Sequence, residues 1–183
     1  AGGDDPFFLF LAYNAPHGPF AIPPEKYRLG GIGANRSWID RLYDVIHALD
    51  VNVGQVLDAL KASGLEENTL VIFANDNGQS TAAAIPGNAP WSGFKRSFWE
   101  GGMRVPMIAR WPGHVPVEKV CDDPISFMDI LPTCLDVAGL AGQIPTEVDG
   151  LSIRNTLQGN DGIIPKDRLL FWVLPALVYP GRL

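Results

Sequence analysis

The sequence predicts an α/β fold in which a largely parallel sheet is flanked by helices. Two apolar runs of strand length, residues 7–13 and 69–75, lie on either side of a long amphipathic helix at about residues 38–63. Uninterrupted apolar runs are typical of strands buried on both faces, and parallel pairing requires a long, usually helical, connection. The 183 residues, 46% hydrophobic and 19% charged, have the composition of a globular protein, and we expect one domain over residues 1–183.

The first half of the chain contains one strand, one long loop and one helix. The run at 7–13 is rich in aromatic residues and is followed by a Gly- and Pro-rich stretch to about residue 33. Loops of that length are often functional. The helix that follows has apolar residues at steps of three and four, with Ser37 as its N-cap and Gly64 as its stop signal.

The second half continues the alternation of strands and helices. The strand at 69–75 is followed by a polar loop, and residues 104–110 form a third predicted strand. Helical patterning then runs from residue 124 to 138, but Pro132 interrupts it, so we expect a kink or two short helices there.

Charge and hydropathy argue against two classes of partner. The formal net charge of −6 disfavours a nucleic acid or an anionic membrane surface, both of which recruit Lys and Arg. The apolar run at 169–180 is too short to span a bilayer, and residues 1–5 do not form a signal peptide. An anionic small substrate remains compatible with this composition.

Polar residues follow the first two predicted strands. Ligands of open α/β sheets bind beyond the carboxyl ends of the strands, where His17 and the pair Asp76 and Asn77 would lie. A carboxylate and an amide carbonyl are oxygen ligands for Ca²⁺ or Mg²⁺, although an Asp-Asn-Gly sequence is also a common turn. His17 could contact an anion or act as a general acid, or could be a solvated loop residue.

Lys95 is a fourth candidate, in the loop before the third strand. It could stabilise an oxyanion among flanking aromatic residues, or could be a surface cation. The sequence has no Gly-rich phosphate loop, no G-x-S-x-G nucleophile elbow and no zinc-protease His-Glu-x-x-His motif.

Several motifs, in order along residues 6–172, resemble those of the sulfatase family, whereas residues 173–183 diverge from it. They are Pro16-His17-Gly18-Pro19 after a strand, Asp76-Asn77-Gly78, Lys95 with Glu100-Gly101-Gly102-Met103-Arg104-Val105-Pro106, Trp111-Pro112-Gly113, Asp129-Ile130-Leu131-Pro132-Thr133 and Asp149-Gly150-Leu151-Ser152. The resemblance implies an alkaline-phosphatase-like fold, of which this chain would be a partial domain, and hydrolysis of sulfate esters.

The resemblance also implies a role for each candidate residue. His17 would contact the sulfate and assist the leaving group, and Lys95 would bind a sulfate oxygen and stabilise the leaving oxygen. Asp76 and Asn77 would ligate a divalent cation, which is calcium in most members. The substrate would be a small sulfate ester or a sulfated glycan, and the location periplasmic or secreted.

The nucleophile of the family has no counterpart in this sequence. Members use a formylglycine hydrate made from Cys or Ser in a Cys/Ser-x-Pro-x-Arg motif, which neither Cys121 nor Cys134 fits. Phe94 also stands where the family usually has Gly before the active-site Lys. We therefore expect a sulfatase fragment that lacks its nucleophile segment and is inactive alone.

Two other functions stay open. A phosphomonoester or phosphodiester hydrolase of the same superfamily would share the sheet and the metal site, and a binding module would recognise sulfated ligands without cleaving them. In a partial sheet, strands without neighbours become exposed edges, through which we expect two copies of the chain to pair.

Overall fold

The computed structural model describes residues 5–30, 35–80, 88–160 and 162–172. The chain divides into two compact units, residues 1–66 and 67–183. The α-helices and strands are α1 (Trp38–Ala62), β1 (Val71–Ala74), α2 (Glu100–Met103), β2 (Met107–Arg110), α3 (Ile130–Val137) and α4 (Arg154–Leu157). Short 3₁₀ helices lie at Glu25–Tyr27, Glu66–Asn68, Phe127–Asp129 and Ala141–Gln143.

Helix α1 dominates the first unit and confirms the helix predicted from periodicity. Ser37 and Asp40 form a capping box: the Ser37 hydroxyl accepts from the Asp40 amide, and the Asp40 carboxylate accepts from the Ser37 amide. These two bonds satisfy amides that have no partner inside the helix. At the other end Gly64 has a φ of +68°, the left-handed conformation of a helix stop.

A buried ion pair ties the preceding loop to α1. Asp44, fully buried on the helix, lies 2.6 Å from Nη1 of Arg36 and accepts a hydrogen bond from the Leu29 amide at 3.0 Å. A buried carboxylate is tolerated only with such partners. Asp44 therefore fixes both ends of the segment that leads into the helix.

Residues 7–13 differ from the predicted buried strand. They belong to no strand, and Phe8 and Phe10 are 73% and 78% exposed. A strand is buried only when neighbouring strands take up its amides and carbonyls, and in the described residues of this run the one backbone bond is from the Tyr13 amide to Leu11. This structure therefore does not confirm the buried strand predicted for these residues.

The second unit contains one two-stranded sheet. β1 and β2 pair antiparallel, with Val71 opposite Arg110 and Ala74 opposite Met107. The largely parallel sheet predicted from the sequence is thus not what these two strands form. The α-helix between them, α2, is about 6 Å long, too short to run back along a strand of about 14 Å.

Helix α3 begins where the proline was expected to disturb the pattern. The 3₁₀ helix Phe127–Asp129 leads directly into α3, so the segment contains two short helices, but their junction lies between Asp129 and Ile130 and not at Pro132. Pro132 lies in the first turn of α3, where its missing N–H removes no intrahelical bond. Gly139 ends the segment with a φ of +77°.

Asp129 connects α3 to two later segments. Its carboxylate is fully buried, accepts two bonds from Arg168 at 2.6 and 2.8 Å, and accepts one from the Leu151 amide at 2.8 Å. Burial by itself raises the pKa of Asp129, but the hydrogen bonds from Arg168, Leu151 and Ser126 outweigh it, so the pKa is lowered overall.

A second set of contacts holds residues 150–154 against the same helix. The Thr133 hydroxyl donates to the Asp129 carbonyl at 2.5 Å and accepts from the Ile153 amide at 3.0 Å. Gly150 is required because a Cβ there would lie 1.9 Å from the Met128 carbonyl oxygen. Two motifs found in the sequence, at 129–133 and 149–152, are therefore halves of one structural clasp.

Within the described residues, no helix combines the length and the apolar character needed to cross a membrane.

Candidate functional site

The Asp76-Asn77-Gly78 turn directly follows β1. The Asn77 side-chain amide donates to the Gly78 carbonyl at 2.9 Å, which leaves its carbonyl oxygen available to a ligand. Asp76 is exposed, and its carboxylate has no hydrogen-bond or ion-pair partner among the described residues. Two oxygen donors next to each other are thus unused by the protein itself.

Glycines allow this turn to approach α2 closely. The Gly78 amide donates to the Gly102 carbonyl at 3.1 Å, and a Cβ on Gly78 would lie 1.8 Å from the Gly101 carbonyl oxygen. A Cβ on Gly102 would lie 2.4 Å from the Ser97 carbonyl oxygen. Backbone approaches of this kind exclude every other residue, which explains the glycines in both sequence motifs.

Lys95 is joined to the same turn through its backbone. Its amide donates to the Gln79 carbonyl at 2.8 Å, and the Gln79 amide donates to the Asn88 side chain at 3.2 Å. Asn88 in turn donates to the Gly93 carbonyl at 2.9 Å, so it bridges the two segments. The Lys95 side chain is half-buried, and the next residue, Arg96, has a left-handed φ of +75°.

His17 lies in the first unit, in a loop held by its own hydrogen bonds. Its amide donates to the Asn14 carbonyl at 2.7 Å, and Nδ1 is 2.6 Å from the Gly18 carbonyl oxygen. Because a carbonyl only accepts, Nδ1 carries a proton and donates it, and the neutral ring has its lone pair on Nε2. The imidazole is exposed and lines a cavity of about 380 Å³ with Asn14, Gly18 and Pro19.

The structure connects the segments that carry three of the four candidates. Asp76, Asn77 and Lys95 share the second unit and are connected by the Gly78–Gly102 and Lys95–Gln79 hydrogen bonds. His17 belongs to the other unit. The catalytic and ligand roles of all four residues stay predictions.

The donors present fit part of a hard-cation site. Ca²⁺ takes about six to eight oxygen ligands, and Asp76 with Asn77 offers two of the right chemistry. In the part of the chain that the structure describes, no three His, Cys, Asp or Glu side chains gather in a metal-binding group. The remaining ligands would have to come from elsewhere.

Asn88 and the pair formed by Trp91 and Arg104 were not identified from the sequence. The Arg104 guanidinium lies 4.2 Å from the centroid of the Trp91 ring. Its Nη1 is also 3.3 Å from a carboxylate oxygen of Glu100, one helical turn earlier. No local pattern signals the pair, because the two residues are thirteen positions apart; Asn88, in an Asn-Ala-Pro turn, carried a weak signal.

Both cysteines are free thiols. Burial raises the pKa of the Cys134 thiol, which keeps it protonated and unreactive. Cys121 is exposed, and its sulfur accepts a weak hydrogen bond from the Asp123 amide.

The chain matches known sulfatases in sequence. The family model named Sulfatase matches residues 1–140, and the chain belongs to the sulfatase family. It is 35% identical over 156 residues to the uncharacterized sulfatase YdeN of Escherichia coli, covering 85% of this chain and 28% of the relative. It is 37% identical over 159 residues to N-acetylgalactosamine-6-sulfatase of Rattus norvegicus, covering 85% of this chain and 29% of the relative.

A solved structure shows the same similarity in three dimensions. Ps i-CgsB in complex with k-i-k-neocarrahexaose superimposes with a TM-score of 0.69 at 33% identity, over 87% of this chain and 35% of that one. The chain is therefore a partial domain of the alkaline-phosphatase-like α/β fold. It spans less than a third of the length of the two curated relatives.

Proposed function

We propose that the full-length protein hydrolyses sulfate esters, with His17, Asp76, Asn77 and Lys95 as part of its active site. The observation that carries this proposal is the backbone bonding that joins the Asp76-Asn77 turn to the Lys95 loop. Two unused oxygen donors and one cation lie on neighbouring segments that are bonded to each other. Family membership supplies the reaction class.

Lys95 has the chemistry to stabilise negative charge on a sulfate oxygen or on the leaving oxygen. Its backbone is fixed at Gln79, and a preorganised cation stabilises a transition state without reorganisation. The left-handed backbone at Arg96 is the kind of strain that functional sites hold. Both features support a functional rather than a surface lysine.

The hydrogen bond of His17 determines which of its ring nitrogens is available to a substrate. With Nδ1 committed to the Gly18 carbonyl, Nε2 is the atom that remains for a substrate. When the ring is protonated, Nε2 donates to a sulfate oxygen or to the leaving oxygen. When the ring is neutral, the same atom accepts a proton.

Asp76 and Asn77 would hold a divalent cation, for which calcium is our proposal. Bound there, the cation would draw electron density from a sulfate group, and a formylglycine hydrate outside these 183 residues would supply the nucleophile. We further propose that residues 1–183 belong to one catalytic domain, and that in the full-length protein a largely parallel sheet takes up residues 7–13.

For the substrate we propose a sulfated saccharide. The rat relative is named for a sulfated N-acetylgalactosamine, and the similar solved structure holds k-i-k-neocarrahexaose. The acidic chain would attract such a substrate only through local positive charge. Lys95 and Arg96 supply it in a segment, residues 77–99, that contains no Asp or Glu.

The decisive experiment measures kcat/KM of the full-length protein on matched sulfate and phosphate esters. We expect sulfate esters to be preferred and Lys95→Ala to lower kcat about 10²–10³-fold. Lys166→Ala, an exposed lysine of the same unit, is the matched control and should be unchanged. Preference for phosphate esters would indicate a phosphohydrolase, and saturable binding without turnover would indicate a binding protein.

The 183-residue chain provides a second test. Because no residue in it fits the nucleophile motif, we expect no hydrolysis of aryl sulfates by the chain alone. Measurable turnover would show that the nucleophile lies within these residues and that the proposed mechanism is wrong.

A further inference from the structure

The Asn77-Gly78 sequence combines the two residue types that favour deamidation of an asparagine. Asn77 is the one asparagine of the 183 residues that is followed by Gly. In such a pair the Gly nitrogen attacks the side-chain amide readily, because no Cβ hinders its approach and the Gly backbone rotates easily. The sequence alone therefore identifies Asn77 as the asparagine of this chain that is most prone to deamidation.

The reaction begins at the backbone amide of Gly78. Its nitrogen gives up a proton to solvent and attacks Cγ of Asn77, so that a C–N bond forms and the Cγ–Nδ2 bond breaks. Ammonia leaves after taking a proton back from solvent. Water then opens the five-membered succinimide ring at one of its two carbonyls and gives aspartate or isoaspartate. Both products have a carboxylate in place of the amide, and isoaspartate also lengthens the backbone by one carbon.

The fold engages both reacting groups in hydrogen bonds. The Gly78 amide donates to the Gly102 carbonyl at 3.1 Å, and the Asn77 side-chain amide donates to the Gly78 carbonyl at 2.9 Å. Gly78 and Gly102 are both buried, so the amide that must lose its proton is shielded from solvent. Ring closure also turns the Gly78 nitrogen towards Asn77, which breaks its bond to Gly102.

The close packing of the turn against α2 prevents this rotation in the closed structure. A Cβ on Gly78 would lie 1.8 Å from the Gly101 carbonyl oxygen, so the two backbones leave no space between them. The peptide at Gly78 can therefore rotate only after α2 has moved away. A reaction that requires such a local opening proceeds in proportion to the population of the opened state.

We propose that Asn77 is a deamidation site, and that the Gly78–Gly102 hydrogen bond confines the reaction to molecules in which α2 has separated from the turn. The proposal uses only the contacts of this turn and does not depend on the proposed function. It gives the close approach of the turn to α2 a chemical consequence, because the closed structure preserves the amide of Asn77.

The test follows Asn77 in the full-length protein at mildly alkaline pH, where the amide loses its proton faster. Peptide mass mapping, with chromatographic separation of isoaspartate, measures the deamidation rate in buffer and in denaturing urea. We expect the rate to be higher in urea. In buffer, Gly102→Ala should raise it about tenfold, which corresponds to about 1.4 kcal/mol of opening free energy. The reason is that a Cβ on Gly102 would lie 2.4 Å from the Ser97 carbonyl oxygen and displace α2.

Gly142→Ala is the matched control in the same unit. Apart from its chain neighbours and the backbone of its own 3₁₀ helix, no atom lies within 4 Å of the position that its Cβ would occupy. The deamidation rate of Asn77 in this variant should equal that of the wild type. Circular dichroism checks that both variants are folded.

Hydrogen exchange at the Gly78 amide provides a second measurement that needs no variant. Low concentrations of urea should raise the exchange rate and the deamidation rate by the same factor, since both require the same opening. This comparison decides the matter if Gly102→Ala does not fold. Equal deamidation in buffer and in denaturing urea, or an unchanged rate in folded Gly102→Ala, would overturn the proposal. So would a Gly78 amide that exchanges freely while Asn77 stays intact.

Discussion

Gly78 lies where the candidate metal turn meets helix α2. A Cβ at this residue would come within 1.8 Å of the Gly101 carbonyl oxygen, and the Gly78 amide is bonded to Gly102. The obstacle is backbone and cannot rotate away. The position of Asp76 and Asn77 relative to Lys95 therefore depends on the absence of a side chain at this residue.

We expect Gly78→Ala to lower the free energy of unfolding by about 1–3 kcal/mol, because the two backbone segments must separate. Gly54→Ala is the matched control: Gly54 lies inside α1, and apart from the neighbouring backbone of this helix no atom lies within 4 Å of the position that its Cβ would occupy. The same change should therefore stabilise by about 1 kcal/mol. Urea denaturation of both variants measures the difference. Equal effects would show that the close approach at Gly78 is not a constraint.

Asp129 makes stability depend on pH. Its folded-state pKa is lowered, because the bonds from Arg168 and two amides outweigh burial, so its contribution is complete above the usual pKa of about 4. The contribution is lost as the pH falls through the lower folded-state value. We expect Asp129→Asn to cost about 3 kcal/mol at pH 7 and to flatten the acid side of the stability curve.

The control for Asp129 is an exposed ion pair in the same unit. Glu100 and Arg104 have side chains 57% and 52% exposed, so Glu100→Gln should cost less than about 1 kcal/mol at pH 7. Chemical denaturation from about pH 2 to pH 7, the range over which carboxylates titrate, measures both variants. If Asp129→Asn lost stability at low pH as steeply as the wild type, Asp129 would not be the source of the pH dependence.

Two buried threonines near α3 and α4 distinguish a satisfied hydroxyl from an unsatisfied one. The Thr133 hydroxyl bonds the Asp129 carbonyl and the Ile153 amide, joining α3 to the segment that leads into α4. The Thr156 hydroxyl is also buried but has no hydrogen-bond partner among the described residues. The substitution Thr→Val can be made at both residues and changes the side-chain volume little.

We expect Thr133→Val to destabilise by about 1–3 kcal/mol, because it leaves the Ile153 amide buried without an acceptor. Thr156→Val should be neutral or stabilising, because it removes a polar group that has no partner. Thermal and urea unfolding of the two variants, measured together, give the comparison. Similar losses in both would mean that side-chain shape rather than hydrogen bonding holds this clasp.

Local signals explain which elements can be predicted from the sequence. Helix α1 is predictable almost to the residue, because its cap, its periodicity and its stop at Gly64 all lie within the segment. Whether residues 7–13 form a strand cannot be predicted in this way, because strand pairing depends on segments that are distant in sequence. The parallel pairing predicted for the sheet is not found between β1 and β2 for the same reason: apolar runs indicate strands but do not determine their relative orientation.

The candidate site shows the same division. Asp76, Asn77 and Lys95 can be selected from their residue types and motifs, and the structure connects their segments. Asn88 cannot be selected in this way, because its side chain bridges Gln79 and Gly93 only once the loop has folded back. The clasp around Asp129 is visible in the sequence as family motifs, but its structural role depends on where the Leu151 and Ile153 amides lie.

At the scale of the whole molecule, residues 7–13 form a long exposed apolar segment. Within the described residues its backbone makes a single hydrogen bond, from the Tyr13 amide to Leu11, and Phe8 and Phe10 are 73% and 78% exposed. Aromatic side chains of this kind each bury about 150–250 Å² in a contact. A segment with free amides and exposed apolar side chains is a template for strand pairing with another chain.

We therefore expect the 183-residue chain to self-associate through residues 7–13 at concentrations of about 10–100 μM, a range in which exposed apolar surface leads to association. Phe10→Lys should shift it toward monomer, because a charge opposes burial of the segment. Val117→Lys is the matched control, since Val117 is 87% exposed but lies in a turn, where strand pairing is not available. Size-exclusion chromatography with light scattering measures the mass of each. A monomeric wild-type chain throughout this range, or equal shifts in both variants, would show that the segment is not the interface.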